Sequence, residues 1–466
     1  MQVSVLAGIG SDEAGDFRSR LPVNLVPVPK QNGISAGYLR PADGINTLLS
    51  GPGVDRGGIV WKGQMYRVMG TTLVRVNADG TYTVINDVGF GGPVSMAYSF
   101  DQLAIASGGR LYYYSPLLFT QVVDPDLRTC VDMIWCDGYF VSTDGEYLVV
   151  TELNAPATIN PLKYGSSEAD PDPILGLLKF QGRPNALNRY TIEQFENVGG
   201  TGFPFQRVEG ALLRRGVIGT HAACEFLDQI AFVGSGMNEP VAVWLGANGQ
   251  TQKISTREID TLLQDYSEGE LASTIAEARI EKSHQHLYIH LPDRTIVFDA
   301  AASQVLGEPV WFVLSSSLTG FGQYRARHML WCYDKWICGD PQSNQLGVLT
   351  SDTGEHYGAK VGWEFSTPIV YNENRGAIFH KVELAALTGR SLLGADPTVY
   401  TSYTLDGETW SMPVPCKAGR QGQRNARLTW LRQGRMANWR AQRFTGTSDA
   451  HLSFARLDVQ VEALNA

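Results

Sequence analysis

From about residue 58 onward, apolar and polar residues alternate in short runs cut by turn signals. The stretch GIVWKGQMYRVMGTTLVRVNADGTYTVIND predicts four strands, with turns at Lys62-Gly63 and Asn77-Ala78-Asp79-Gly80. VSMAYSFDQLAIASGGRLYYYSP repeats the unit through Phe100-Asp101 and Gly108-Gly109. VDMIWCDGYFVSTDGEYLVVTEL repeats it again through Asp137-Gly138 and Asp144-Gly145. Further copies fall at 175–195, 221–254, 276–314 and 324–349. A recurrence of roughly 35 to 45 residues with three or four strands per copy cannot bury both sheet faces alone, so the copies must stack. A closed ring leaves few edges unpaired, and the expected architecture is a β-propeller of six or seven blades. The number stays open because 154–216 is irregular, and no WD-type dipeptide marks each blade.

Two segments break the pattern. Ser255-x-x-Glu258 and Ser267-x-x-Glu270 are capping-box signatures, and Ile259, Leu262, Leu263 and Tyr266 follow helical spacing. They predict a helical insert at about 255–278, whose apolar stripe packs on the propeller or docks a partner. After about 355 the strands lengthen, as in KVGWEFSTPIVY, IFHKVELAALTG and HLSFARLDVQVEAL, with one apolar face each. That alternation predicts a C-terminal antiparallel β-sandwich. The expected division is an N-terminal arm at 1–50, a mainly β propeller at 51–355 and the sandwich at 356–466.

Composition narrows the class. Fifty glycines and only 18% charged residues suit a turn-rich β protein. The net charge of −9 argues against a general nucleic-acid binder. No run of about 18 apolar residues suggests a membrane span, and the start lacks the basic and apolar regions of a secretory signal. The six cysteines include two C-x5-C pairs rather than the C-x2-C of zinc sites. They read as buried free thiols suited to a reducing cytoplasm.

No G-x-S-x-G, G-x4-G-K-[ST] or H-E-x-x-H occurs, so no catalytic or cofactor-binding residue is nominated. TLDGETW, at 404–410, is one residue short of the Asp-box of sialidase-like propellers and reads as an ordinary hairpin. The clearest charge feature is 417–443, which holds Lys417, Arg420, Arg424, Arg427, Arg432, Arg435, Arg440 and Arg443 and no acid. The rest of the chain then carries 30 basic against 47 acidic residues. With Trp430 and Trp439 alongside, the seven arginines either dock an acidic partner or form a solvated face balancing the acidic propeller. DNA binding fits less well, because the arginines spread over turns as well as strands.

His284, His286 and His290 lie within EKSHQHLYIHLPDRTIVFDA, at 281–300. Equal parity places them on one strand face with Tyr288. His284 and His286 stand about 6–7 Å apart, but His290 lies roughly 13 Å beyond His286, too far for one ion. No spacing nominates another ligand, so the expectation is a polar strand face and no metal.

The same stretch carries a family resemblance. Ser283-His284, Ile289-His290-Leu291-Pro292 and Phe298-Asp299-Ala300 resemble the packaged-DNA stabilisation protein of short-tailed podophages, also called the tail accessory factor, nozzle or hub. LPVNLVPVPK with GYLRPADGI is similar to its N-terminal arm, the helical insert occupies the matching place, and LRQGRMANWRAQRF resembles its closing domain. The motifs run collinearly along most of the chain; the blade region 59–216 is too divergent to compare residue by residue. The resemblance implies a structural protein of the virion tail, assembled in the host cytoplasm as a homo-hexamer below the portal adaptor, or head-tail connector ring. It implies further contacts with the tail needle or plug and with tailspikes or tail fibres. Double-stranded DNA would pass through the ring without sequence-specific binding, and no cofactor is implied. A glycan-binding or glycan-cleaving propeller of a phage tail is the alternative, and a non-viral propeller scaffold is a third.

Overall fold

Seven antiparallel sheets follow one another along the chain, and the first strand of each lies against the first strand of the next. The computed structural model describes residues 1–11, 16–30, 33–153, 155–373, 375–391 and 393–464. Blades 1 to 6 occupy 55–87, 95–121, 132–166, 174–207, 216–253 and 275–314. Blade 7 takes its three inner strands from 327–350 and its outermost strand, Gly44–Ser50, from the N-terminal region. The ring closes where Arg327–Cys332 meets Asp55–Trp61. The β-propeller is thus seven-bladed, and the irregular region 154–216 resolves into the long outer strand Ala155–Ser166 and the whole of blade 4.

Turn chemistry explains the repeat. Two-residue hairpin turns that match strand twist need positive φ. Lys62 and Gly63 (φ 50° and 73°) and Asp137 and Gly138 (49° and 89°) supply it between the first and second strands of blades 1 and 3. Blades then pack face to face through apolar layers. One such layer joins Met65, Met69 and Val74 of blade 1 to Cys332, Ile337 and Leu346 of blade 7. Full burial of side chains of this size contributes roughly 1.5–3 kcal/mol each. The closure also contains an internal ion pair: Arg67, wholly buried, donates to both Asp55 oxygens at 3.0 Å and to the carbonyls of His328 and Ile337. The approach there is so close that a Cβ on Gly339 would meet the Asp55 carboxylate at 2.1 Å.

Helices Arg257–Gln264 and Glu268–Leu271 connect blades 5 and 6. Ser267 and Glu270 form the expected reciprocal cap. Ser255 does not: the helix begins one residue later at Thr256, because the Ser255 hydroxyl is taken by Asp260 and by the amide of Val243. Ile259, Leu263 and Leu271 are buried in the layer between the two blades, so the apolar stripe packs on the propeller.

The second body is a β-sandwich. One sheet orders Leu25–Val28, Tyr38–Pro41, Phe454–Ala463, Ala377–Ala386 and Leu428–Leu431, and the other orders Gly362–Ser366, Trp439–Thr447, Thr398–Thr404 and Val414–Lys417. Phe365 and Phe444 of one sheet pack with Phe454 and Trp430 of the other at centroid distances of 5.0–5.5 Å. Residues 1–50 do not stand apart: Gln2–Val3, Leu25–Val28 and Tyr38–Pro41 are sandwich strands, and Gly44–Ser50 is a propeller strand.

Candidate functional site

Two features carry chemistry: the histidine strand of blade 6 and the arginine-rich strands of the sandwich. His284–His290 is the second strand of its blade, and its three imidazoles are 7%, 5% and 1% exposed. The expected polar face is therefore buried. Tyr288 of this strand packs with Phe312 of its own blade and with Met329 and Cys338 of blade 7. The rings form a continuous file, with His284–His286 centroids at 5.0 Å, Tyr288–His290 at 6.2 Å and His290–Tyr324 at 6.4 Å.

Buried imidazoles need partners. His284 Nδ1 lies 2.6 Å from Asp299 Oδ2, and His286 Nε2 lies 3.3 Å from the same oxygen. His290 stands apart, with Nδ1 2.8 Å from the Thr295 hydroxyl and Nε2 3.9 Å from Glu277. Burial pushes Asp299 toward its neutral form, but the bond to His284 and the nearness of the His286 imidazole outweigh it and hold the carboxyl well below its usual range. Burial also lowers the pKa values of His286 and His290. Glu277, which accepts the amides of His328 and Met329, is held down to about 2 despite burial, first through His290.

The partner that sequence reasoning missed, Asp299, was within reach. The turn at 291–294 pairs His290 with Thr295, and that register sets His286 directly opposite Asp299. Counting across the hairpin, rather than along one strand, supplies the third group.

The seven arginines separate into three kinds. Arg440 is not available to a partner: it is 1% exposed, sits over Phe379 and Tyr403 at 4.2 and 3.8 Å, and donates to Gln442 and the Gln433 carbonyl. Arg443 is half-buried over Trp410 at 4.2 Å and donates to Ser402. Trp430 is likewise part of the core, and its indole donates to the Val414 carbonyl. Arg427 is exposed and grips Glu383 through two 2.6 Å bonds; with Lys381 it holds Glu383 down to about 2. Arg420, Arg424, Arg432 and Arg435 are exposed, and none meets a carboxylate within 4 Å among the described residues. They lie in the segments before and after Leu428–Leu431, the edge strand of its sheet, and Arg435 begins the short strand Arg435–Met436 that pairs with Ala377 and Ile378. The facing edge strand is Val414–Lys417, and Leu431, Val414, Met412 and Leu393 add exposed apolar surface to this region. At 404–410, Asp406 binds the amides of Glu408 and Thr409 within its own turn.

The propeller matches the family model described as Bacteriophage P22 Gp10, beta-propeller, over residues 1–354, and the sandwich matches Bacteriophage P22 Gp10, beta-sandwich, over 362–462. The chain belongs to this family. A relative within it, the tail hub protein gp10 of Salmonella phage P22, is 28% identical over 459 residues, covering 93% of this chain and 94% of the relative. Solved structures give distant likenesses. The Pan2 WD40 domain of Neurospora crassa has a TM-score of 0.42 at 10% identity, covering 66% of this chain and 95% of its own. The computationally designed Ika8 protein has a TM-score of 0.39 at 12% identity, covering 66% and 99%. The propeller assignment stands on the seven sheets and the family match.

Proposed function

We propose that the chain is the structural hub of a short-tailed phage tail. The full-length, collinear likeness to a tail hub across both bodies carries this reading. In it, copies of the chain form a hexameric ring below the portal adaptor, extend the DNA channel, help retain packaged genome and support the needle and the spikes or fibres. The role is mechanical, and no step of chemistry is assigned to it.

The sandwich edge supports the assembly part of the reading. Exposed arginine beside exposed aliphatic side chains is the mixture that protein interfaces use, whereas a solvated face has no need of Leu431 and Met412. Arg420, Arg424, Arg432 and Arg435 are the residues proposed to meet an acidic surface of a neighbouring subunit or tail protein. Arg427 already holds Glu383 of its own chain through two bonds. The acidic balance of the remaining chain suits a channel wall that repels phosphate during DNA passage. A strongly basic lumen in the assembled ring contradicts that part.

The test is charge reversal. Arg432→Glu with Arg435→Glu should leave the melting midpoint of the isolated chain nearly unchanged, while the variant fails to enter tails in a complementation assay. Normal incorporation and DNA-filled particles contradict the proposed surface.

A further inference from the structure

His284, His286 and Asp299 form a cluster that the hub reading does not use, and its geometry asks for a cation. One nitrogen from each ring and one carboxylate oxygen lie within 4.8 Å of one another, and all three residues are buried. His286 Nε2 has no hydrogen-bond partner although its ring is about 95% buried. It approaches Asp299 Oδ2 at 3.3 Å without the angle of a hydrogen bond.

The neighbouring groups explain that orphan. Tyr288 Oη lies 3.4 Å from His286 Nδ1 and 3.5 Å from an Arg279 nitrogen. Arg279 can only donate, so the tyrosine oxygen accepts there, and its contact with His286 Nδ1 runs in either direction according to the imidazole tautomer. With the proton on Nδ1, Nε2 presents a lone pair on the side of Asp299. In that form two electron-rich atoms face each other in a buried site, an arrangement that a cation between them stabilises. The second carboxylate oxygen, Oδ1, is fixed by the amides of Ala302 at 3.2 Å and Gln285 at 3.4 Å, which aims Oδ2 at the rings. Fixing ligand orientation through outer partners is how protein metal sites are built.

We propose that His284, His286 and Asp299 bind one first-row divalent transition-metal ion of the zinc class. Bonds of about 2.0–2.1 Å in a tetrahedron give ligand–ligand edges of roughly 3.3 Å, which the His286–Asp299 distance already matches. The 2.6 Å His284–Asp299 contact is a hydrogen bond whose proton the ion replaces, and it opens to a similar edge on binding. A cavity of about 250 Å³ bordered by Ser283, His284, Ala302 and Val305 opens onto the His284 side of the cluster and offers room for water there. Val28 of sandwich strand Leu25–Val28, Pro29 and the exposed Lys30 also line that cavity. The ion would clamp two strands of blade 6 and the helix Ala300–Leu306 that Asp299 caps, at the side of the blade facing the sandwich.

The experiment uses the full chain, stripped with a chelator and titrated with Co2+ as an optical stand-in, then with Zn2+ in thermal melts. The expected result is one equivalent of Co2+ with visible d–d bands, and a rise in melting midpoint with Zn2+. Both should be lost in His286→Gln and Asp299→Asn and kept in His380→Gln, where an exposed histidine is removed. If the first two variants do not fold, X-ray absorption of the Co2+-loaded wild type decides: imidazole and oxygen neighbours support the site, and sulfur neighbours overturn it. Absence of bands and of a Zn2+-dependent shift in the wild type overturns it too. So does binding that survives in a folded His284→Gln, His286→Gln double variant.

Discussion

Asn24 joins the two bodies through one side-chain amide. Its Nδ2 donates to the carbonyls of Ser315 and Gly362 at 2.8 and 2.7 Å, and its Oδ1 accepts the Ser315 amide at 3.0 Å. It is buried at φ 54°, a conformation that asparagine tolerates better than most residues. Asn24→Ala leaves those groups unpaired and should cost about 2–4 kcal/mol in denaturant unfolding. His356, also at this junction, makes a different prediction. Burial first, then Arg325, presses its imidazole down to about 3, while an unfolded histidine titrates near ~6.5. The folded state thus refuses a proton that the unfolded chain accepts, and stability drains as pH falls from ~6.5 toward 3. The melting midpoint should drop between pH 7 and pH 4, and His356→Gln should drop less. Neither role is legible in the sequence, since Asn24 sits in an ordinary strand-like run and its partners lie about 300 residues away. The histidine strand was half legible: parity along one strand grouped the rings, while Asp299 and the burial come from the hairpin register and the adjoining blade.

At the scale of elements, local signals carried the blades and missed their closure. Turn pairs such as Lys62-Gly63 and Asp137-Gly138 announce themselves because positive φ selects few residues. Gly44–Ser50 looks like part of an arm, and nothing near it in sequence reveals that it pairs with Gln345–Thr350. Its pairing is nonetheless what completes blade 7. Ile45 is fully buried against residues of blades 6 and 7, so Ile45→Ala should cost about 2–5 kcal/mol. Because sandwich and closing strand share residues 1–50, near- and far-ultraviolet signals should lose stability together in a urea titration of that variant. The Ser255 cap failed for a related reason: a side chain with two good local partners was claimed by Asp260 and Val243.

At the scale of the whole molecule, the arginine-bearing edge of the sandwich is a surface that folding leaves unexplained. The sequence marked all seven arginines alike, since spacing does not distinguish a guanidinium stacked in a core from one held in water. The fold retires Arg440 into the interior and leaves Arg420, Arg424, Arg432 and Arg435 free of carboxylates among the described residues. Exposed charges contribute little to folding, about 0–1 kcal/mol even when paired, so the Arg432→Glu, Arg435→Glu variant should change stability by no more than that. Its loss should be read in assembly. The most direct test of the hub itself is electron microscopy of purified tails with the subunits of this chain counted. The account predicts a coaxial hexameric ring directly below the portal adaptor, with the channel running through it. Tails that lack the chain, or that carry it only as a peripheral appendage away from the channel, contradict it.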